Sequence, residues 1–294
     1  MSQAELCRDL FASTFENLLG RQWGDQKSRL HQAIRYCLTG GGKRVRATLS
    51  MLVCEAYGKN FRLALSAATA VEMIHAYSLA HDDLPCMDND DMRRGRPSLH
   101  KAFDECTALL AGDAILTDAV RVLVDHEFFP DAAFVGVSDR TRLVRELVLA
   151  AGGQGMVYGQ DQDIFWTSKS DFTLRDLEGI HRAKTGALMG SAAAMGAITA
   201  GALESDVVKW REFGILIGLA FQAMDDILDD APTTGKTANK DKEQNKLTYM
   251  TLFAREEVQD IARRHTMDAI NLIPSNVRRD DLIELVDSLL ARRQ

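Results

Sequence analysis

The chain has 294 residues, of which 46% are hydrophobic and 26% are charged, a composition typical of a globular protein with a sizeable core. Its formal net charge of -7 argues against a nucleic-acid-binding surface, since such surfaces need a basic stripe to neutralise phosphates. The five cysteines form no Cys-x-x-Cys pair, so neither a disulfide framework nor a zinc ribbon is indicated. A reducing cytoplasm is the expected location.

Apolar residues recur at spacings of three, four and seven along most of the chain, which predicts an all-α fold. The five prolines fall between the helical stretches, where they can end a helix without removing an interior hydrogen bond. The predicted helices are 3–19, 26–38, 43–57, 61–83, 100–126, 138–157, 173–200, 204–229, 247–272 and 279–292. Because no repeat or low-complexity linker divides the sequence, we expect a single domain, 1–294.

One uncharged stretch, from Thr185 to Leu203, is long enough to span a bilayer. It consists mostly of glycine, alanine and serine, which favours a tightly packed buried helix over a membrane span. The first residues include Glu5, Arg8 and Asp9, where a signal peptide would need an uninterrupted apolar region. We therefore expect no transmembrane segment.

A first acidic cluster, HDDLPCMDND at 81–90, follows the fourth predicted helix. Asp82 and Asp88 are six residues apart, so in an ideal helix they would point about 120° away from each other. Pro85 disfavours helix at the preceding residue and lacks a backbone donor. The chain can therefore loosen after Asp83 and bring Asp88 back toward Asp82.

A second acidic cluster, FQAMDDILDD, lies at the end of the helix 204–229, where Asp225 and Asp229 share one face with Gln222. Each cluster alone is explained equally well as a solvated helix end. Two clusters, each followed by basic residues, favour a metal site. Carboxylate oxygens with few histidines suit magnesium, whose coordination is usually completed by phosphate oxygens, so the expected ligand is a phosphate or diphosphate.

Basic groups that could hold such an anion lie near the first cluster and in the stretch GGGKRVR, 40–46. There, a glycine turn leads into a helix whose N-terminal amides, with Lys43 and Arg46, can face an anion. Arg93, Arg94 and Arg96 follow the first cluster, and arginine matches phosphate oxygens in a bidentate manner. His75 is by default a core histidine, but it lies about two helical turns before the first cluster.

Further candidates lie in the second half of the chain. Lys184 and Thr185 occur in HRAKTG, Lys236 in TTGK and Lys246 in NKLTY. The two last lysines belong to the polar stretch 229–246, which has no large apolar anchor. Its composition predicts a mobile loop of the kind that closes over ligands.

Five motifs in this order, GGKRVR, HDDLPCMDNDDMRRG, AKTGAL, FQAMDDILD and GKTANKD…NKLTY, resemble the trans-isoprenyl diphosphate synthases of the polyprenyl synthetase family. The likeness extends over most of the chain. It implies an orthogonal all-α helical bundle around a deep central cavity, a homodimer, and three magnesium ions.

The resemblance also implies roles for individual residues. The magnesium ligands would be Asp82, Asp88 and Asp225, supported by Asp83, Asp226 and Asp229. Isopentenyl diphosphate would bind Lys43, Arg46, His75 and Arg94. The allylic diphosphate would contact Arg93, Lys184, Thr185, Gln222, Lys236 and Lys246. Arg93 and Arg94 would stabilise the departing diphosphate, while the Lys184 carbonyl, the Thr185 hydroxyl and the Gln222 amide would face the carbocation.

The implied reaction is the magnesium-dependent head-to-tail condensation of isopentenyl diphosphate with dimethylallyl or geranyl diphosphate. Tyr77 and Ser78 would set the product length from below the first cluster. An aromatic residue at the position of Tyr77, with the insertion of Pro85 and Cys86, accompanies the fifteen-carbon product farnesyl diphosphate in this family. However, LPCMDND also resembles plant geranylgeranyl diphosphate synthases and Ala80 leaves room, so geranylgeranyl diphosphate is the alternative product.

Three other functions compete with this interpretation. The pair His81-Asp82 is compatible with a metal phosphohydrolase, although this leaves the second acidic cluster unexplained. A terpene cyclase would share the fold but would not need the site of Lys43, Arg46 and His75. A non-catalytic partner subunit is also conceivable, although such subunits usually lose an Asp-rich motif and both motifs are intact.

Overall fold

The structure is a computed structural model that describes residues 2–125, 127–129, 135–167, 169, 172–229 and 247–291. The helices are α1 (Gln3–Gln22), α2 (Arg29–Leu38), α3 (Val45–Ala56), α4 (Leu65–Asp82), α5 (Leu99–Ala102), α6 (Glu105–Val124), α7 (Val137–Ala151), α8 (Met156–Trp166), α9 (Leu174–His181), α10 (Ala187–Thr199), α11 (Glu204–Asp229), α12 (Tyr249–Leu252), α13 (Arg255–Leu272) and α14 (Asp280–Leu290). A 3-10 turn precedes α4 at Phe61–Ala64, and a π-helical turn, Arg182–Gly186, joins α9 to α10. The all-α prediction is confirmed.

A small β-hairpin is the one exception to helix in the described ranges. Its strands, β1 (Met92–Arg93) and β2 (Arg96–Pro97), pair antiparallel. This hairpin was not predicted from the sequence, because two residues per strand are too few to show a period of two.

The predicted helix 100–126 is interrupted near its start. The backbone at Asp104 is extended, and its carboxylate accepts a hydrogen bond of 2.7 Å from the Thr107 N–H. An aspartate in this conformation is a typical N-cap, so it begins a new helix rather than continuing the old one. The result is a short α5 followed by a long α6.

Two further predicted helices are also divided. The helix 138–157 ends at Ala151, because the next residues include three glycines and the chain turns before α8 begins at Met156. Residues 158–166 of α8 were outside every predicted helix. The helix 247–272 is broken at Phe253, whose extended backbone separates α12 from α13.

Helix α10 lies at the centre of the molecule and contacts α3, α4, α7 and α11. Every residue from Leu188 to Ile198 is buried. Its small side chains allow close approach, since a Cβ at Gly196 would lie 2.2 Å from the Ser50 carbonyl oxygen of α3. The uncharged stretch is therefore a core helix, as its composition predicted.

Another segment, Phe61–Asp82, has the length and composition of a membrane span among the described residues. It contains α4, and 72% of its apolar window is buried inside the protein. Such burial is expected of the core helix of a globular protein. α4 packs on α3, α6 and α10 and ends at the first acidic cluster.

Candidate active site

The first acidic cluster forms a tight loop after the last turn of α4. The Asp88 N–H donates a 2.8 Å hydrogen bond to the Asp82 carbonyl oxygen, and the Met87 N–H donates to the Leu84 carbonyl oxygen at 2.9 Å. Asn89 completes the turn with a φ of 50°. The chain thus reverses around Pro85, as its chemistry predicted, and the backbones of Asp82 and Asp88 are joined.

Asp83 lies on the inner side of this loop and is only 2% exposed. Its carboxylate accepts hydrogen bonds from Arg93, with Nε at 3.0 Å from Oδ1 and 3.3 Å from Oδ2, and Nη2 also donates to Oδ1. Asp83, predicted to support the metal, therefore anchors an arginine in this structure.

The β-hairpin directs two consecutive arginines to different partners. Arg94 and Gly95 form its turn with φ values of 53° and 73°. Arg93 points to Asp83, whereas Arg94 donates to the Gly41 carbonyl oxygen and lies 3.4 Å from Nε2 of His75. The hairpin thereby connects the first acidic cluster with the glycine turn.

His75, Arg46 and Arg94 form a basic group between α3, α4 and the hairpin. Burial lowers the pKa of His75 well below its ordinary value, and the charges of Arg46 and Arg94 lower it further. Burial also lowers the pKa of Arg46, whose Nε is buried without a hydrogen-bond partner. An adjoining cavity of about 50 Å³ is lined by side chains that include Tyr36, Arg44, Glu72, His75, Arg93, Arg94 and Arg96.

The turn that carries Lys43 and Arg46 is fixed to α4 by a buried carboxylate. Glu72 accepts hydrogen bonds from the Ala47 N–H at 3.2 Å and from Arg44 Nη1 at 3.3 Å. Arg44 has a left-handed φ of 49° and also donates to the Leu38 carbonyl oxygen at 2.8 Å. Glu72 was not among the predicted site residues, since its partner lies 28 positions away.

The π-helical turn presents Lys184 and Thr185. Lys184 Nζ lies 2.5 Å from Asp163 Oδ2 of α8. Burial by itself would lower the pKa of Lys184, but the charge of Asp163 and its hydrogen bond raise it above the ordinary value. Asp163 was missed because α8 was not predicted beyond residue 157.

Close packing holds α8 against this turn. A Cβ at Gly159 would lie 2.2 Å from the backbone nitrogen of Lys184. Turns of the π-helical type are rare and are frequent at functional sites. On its other side, the Thr185 hydroxyl lies 3.4 Å from Oε1 of Gln222, which connects the turn to α11.

The second acidic cluster is on the last turns of α11, as its spacing predicted. The Asp226 carboxylate is buried and accepts hydrogen bonds from Gln222 Nε2 at 2.9 Å and from the Tyr249 N–H at 2.7 Å. Burial raises the pKa of Asp226 to about 7, against the effect of these hydrogen bonds. Asp225 is half-buried, and Asp229 is exposed at the end of the helix.

Electrostatic interactions relate the two clusters to the basic residues. Burial raises the pKa of Asp82 to about 6, Lys184 opposes this shift and Asp88 adds to it. The charge of Asp225 raises the pKa of Arg46. The predicted acidic and basic residues of both halves of the chain therefore act on one another.

Among the described residues, no three acidic, histidine or cysteine side chains are close enough to form a metal-binding group by themselves. Magnesium keeps several waters and commonly uses one or two carboxylates together with substrate phosphates. The carboxylates of the two acidic clusters therefore suit a magnesium ion that is also held by water and substrate phosphate. They do not form a site in which protein ligands alone enclose the ion.

Tyr77 lies one position before Ser78 in α4 and is 5% exposed. It lines an apolar cavity of about 200 Å³ together with residues of α4, α6, α7 and α8, among them Ile74, Leu116, Val120 and Leu147. The Ser78 hydroxyl donates to the His75 carbonyl oxygen at 3.0 Å. Of the two residues predicted to set product length, Tyr77 thus borders an apolar space and Ser78 bonds within its helix.

Two predicted contacts, Lys236 and Lys246, lie outside the described residues, as does nearly all of the predicted loop 229–246. Lys43 is exposed at the start of α3.

An all-α fold in which two carboxylate-bearing helix ends adjoin a group of arginines defines a class of metal-assisted enzymes that act on diphosphates. The polyprenyl synthetase family description matches residues 27–286. The chain is 42% identical to farnesyl diphosphate synthase of Bacillus subtilis (strain 168) over 272 residues, which are 91% of this chain and 90% of the bacterial protein. It is 44% identical to geranylgeranyl pyrophosphate synthase 4 of Arabidopsis thaliana over 245 residues, 82% of this chain and 64% of the plant protein.

Solved structures agree with these relatives. The fold is similar to that of an FPP/GFPP synthase from Zymomonas mobilis, with a TM-score of 0.84 and 32% identity over 98% of this chain and 99% of that one. A geranylgeranyl pyrophosphate synthetase from the archaeon Geoglobus acetivorans aligns with a TM-score of 0.82 and 28% identity over 99% and 98% of the two chains. The chain belongs to the polyprenyl synthetase family, and it is a prenyltransferase of the type that elongates prenyl chains. Enzymes of this family depend on magnesium.

Proposed function

We propose that the protein condenses isopentenyl diphosphate with dimethylallyl or geranyl diphosphate and gives farnesyl diphosphate. The observation that carries this proposal is the basic group of Arg46, Arg94 and His75. Within the described part of the chain, neither arginine forms an ion pair with a carboxylate, and Arg46 Nε is buried without a hydrogen-bond partner. Burial lowers the pKa of Arg46 and of Arg94, and the charge of Glu72 opposes this shift without cancelling it. An anionic ligand such as isopentenyl diphosphate would therefore stabilise the group. Lys43, exposed at the same turn, would add a further contact.

The allylic diphosphate would bind on the other side of the hairpin. Arg93 is oriented by Asp83, and Lys184 is oriented by Asp163, so both cations are held in place before the substrate arrives. Lys236 and Lys246 are proposed as further contacts. Such preorganisation favours charge stabilisation in the transition state, because little rearrangement is needed as the diphosphate leaves.

Magnesium would be held by Asp82 and Asp88 of the first cluster and by Asp225 of the second, with Asp83, Asp226 and Asp229 in support. The raised pKa of Asp82, which follows from burial and from the charge of Asp88, supports this proposal, because a nearby cation would stabilise the ionised carboxylate. When bound, magnesium supplies positive charge that stabilises the departing diphosphate. The number of ions proposed, three, follows from the family resemblance.

The chain's own polar groups would then protect the allylic cation. The Thr185 hydroxyl, the Gln222 amide and the Lys184 carbonyl belong to the junction between the π-helical turn and α11. Their partial negative charges would stabilise the cation while apolar walls exclude water. The double bond of isopentenyl diphosphate attacks the cation, and the proton released afterwards passes to the diphosphate.

Farnesyl diphosphate is the proposed product because the buried ring of Tyr77 lies one helical turn above Ile74 and closes the space below the first cluster. The alternative product, geranylgeranyl diphosphate, is favoured by a specific observation. The apolar cavity of about 200 Å³ beside Tyr77 is space that a longer chain could enter.

A cytoplasmic homodimer with one domain per chain is also proposed. One hydrophobic cluster includes residues from Cys7 of α1 to Leu289 of α14, which supports a single domain. Large apolar side chains on α6 and α7 are between 37% and 52% exposed, namely Leu109, Leu110, Leu116, Val148 and Leu149. An exposed apolar surface of this kind is typical of an interface between copies. Equilibrium sedimentation should show twice the chain mass of 32.6 kDa.

The test of the catalytic proposal is incubation of the purified protein with magnesium, isopentenyl diphosphate and each allylic starter, followed by mass spectrometry of the products. A fifteen-carbon diphosphate supports the proposal, and a twenty-carbon product supports the alternative. Phosphate release without condensation would indicate a phosphohydrolase, a cyclic hydrocarbon would indicate a cyclase, and absence of turnover would indicate a non-catalytic subunit.

A further inference from the structure

We infer that Tyr36 and Arg96 are positioning residues that hold the hairpin in place, so that Arg94 can bind isopentenyl diphosphate. The inference rests on the proposed function and adds to it Tyr36, which no motif indicated, and a positioning role for Arg96. Tyr36 is in α2, and Arg96 is the first residue of β2.

Three contacts join Tyr36 to the hairpin and its surroundings. Its hydroxyl donates a 2.8 Å hydrogen bond to the Pro97 carbonyl oxygen. The guanidinium carbon of Arg96 lies 4.0 Å from the centre of the Tyr36 ring, which is a cation–π geometry. The edge of Phe103 packs against the same ring, with centroids 5.8 Å apart. The ring is thus held between the second strand and the residue that follows α5.

The hairpin needs such support. A two-stranded ribbon is marginally stable by itself, and this one has two residues in each strand. Its turn contains Arg94 in a left-handed conformation, which is unfavourable for a residue with a side chain and persists only when the surroundings impose it. The contacts with Tyr36 are on the strand that follows this turn, so they fix its position from the C-terminal side.

The two diphosphate-binding arginines should depend on Tyr36 to different extents. Arg93 has an independent anchor in the buried Asp83. Among the described residues, the hydrogen-bond partners of the Arg94 side chain are the Gly41 carbonyl oxygen and Nε2 of His75. Loss of Tyr36 should therefore raise the KM for isopentenyl diphosphate more than the KM for the allylic substrate.

Arg96 lines the same cavity, so it could instead contact a diphosphate directly. Its position over the Tyr36 ring favours the positioning role, because the cation already has a partner there. A double-mutant cycle distinguishes direct contact with the diphosphate from positioning through Tyr36. If Arg96 acts through Tyr36, its removal has little further effect once Tyr36 is gone.

The experiment measures kcat and the KM values for isopentenyl diphosphate and for the allylic substrate in the full-length protein. Tyr36→Phe removes one hydrogen bond and should raise the KM for isopentenyl diphosphate about fivefold. Tyr36→Leu also removes the ring and should raise it roughly 20-fold, with kcat at saturation and the allylic KM within about twofold of wild type. Arg96→Leu should raise the KM about fivefold, Arg96→Lys should restore most of the loss, and Tyr36→Leu with Arg96→Leu should match Tyr36→Leu alone.

Tyr57→Phe is the matched control, since the Tyr57 hydroxyl is bonded to Trp210 and Asp206 of α11 and Tyr57 does not line the cavity beside Arg94. It should leave both KM values unchanged. Equal rises in both KM values, unchanged values in Tyr36→Phe and Tyr36→Leu, or additive effects in the double variant would overturn the inference. A wild-type protein that makes no condensation product would instead overturn the proposed function, so the two failures are distinguishable.

Discussion

The two acidic clusters hold their innermost carboxylates in different ways. Asp83 of the first cluster is bound by a guanidinium, so its negative charge is balanced within the protein. Asp226 of the second cluster is bound by an amide side chain and a backbone N–H, which carry no charge, and its pKa is raised to about 7. The inner carboxylate of the first cluster is therefore part of a preformed ion pair, whereas the inner carboxylate of the second changes its charge near neutral pH.

The largest effect should follow from removal of an outer carboxylate in either cluster. Asp82→Asn and Asp225→Asn should each lower kcat by about 10³-fold, because each removes a proposed magnesium ligand. Steady-state assays over a range of magnesium concentrations measure this loss. The control is Asp260→Asn, an exposed position on α13, which should retain wild-type activity. Full activity in either active-site variant would remove that cluster from the proposed metal site.

Substitution of the inner carboxylates tests the comparison itself. Asp83→Asn removes the buried counter-charge of Arg93 and leaves it Asp90, at 3.5 Å. Because this arginine is about one-third exposed, the expected loss in the free energy of unfolding is about 2 kcal/mol. Asp226→Asn keeps a polar group of the same size and should cost less than about 1 kcal/mol. Urea unfolding of both variants at pH 7 gives the two values. Equal losses would mean that the pairing with Arg93 is not what distinguishes the clusters.

Much of this arrangement could be predicted from local sequence. Pro85 between two aspartates was sufficient to predict the reversal of the chain, and the four-residue spacing of Asp225 and Asp229 placed both on one helical face. These features depend on residues within one or two turns of each other. The proposal that Tyr77 sets product length rests on the same kind of local spacing, its distance to the first cluster, together with the family resemblance.

The contacts that orient the site could not be predicted in this way. Asp163 reaches Lys184 only because α8 packs against the π-helical turn, and Tyr36 reaches Pro97 across 61 positions of sequence. The spacing of residues along the chain carries no signal for such pairs. For the same reason, the role of Asp83 as the anchor of Arg93 was not evident, since an aspartate beside two others looks like a metal ligand.

Because Asp226 is bound by uncharged groups whereas Asp83 is paired with Arg93, protein stability and magnesium affinity should also depend on the titration of Asp226. This effect should be smaller than the preceding ones. A carboxyl with a folded-state pKa near 7 binds its proton more tightly than it does in the unfolded chain, where the pKa is about 4. The free energy of unfolding should therefore fall as pH rises from about 4 to about 7 and then level off, as far as Asp226 determines it. A proton bound at pH 6 also competes with magnesium, so affinity for the ion should increase up to about tenfold between pH 6 and pH 8.

Isothermal titration with magnesium at the two pH values measures this increase. The variant Asp226→Asn carries no titrating group at this position, so its affinity should change less between pH 6 and pH 8. If the variant keeps the full wild-type pH dependence, Asp226 is not the group that competes with the ion, and the burial of Asp82, whose pKa is about 6, becomes the explanation.

The clusters differ finally in what lies beyond them, and this difference should change the product more than the rate. Tyr77, five residues before Asp82 in α4, lines an apolar cavity of about 200 Å³ and is the proposed wall between this cavity and the site. Tyr77→Ala joins this cavity to the site, so the main product should lengthen by at least one five-carbon unit, because one helical turn of about 5.4 Å is comparable to an isoprene unit. The rate should stay within a few-fold, since the change affects discrimination and not the diphosphate site.

Tyr77→Phe keeps the bulk and should retain the wild-type product. A fifteen-carbon product from Tyr77→Ala would show that another wall, such as Leu116 or Val120 of α6, sets the length.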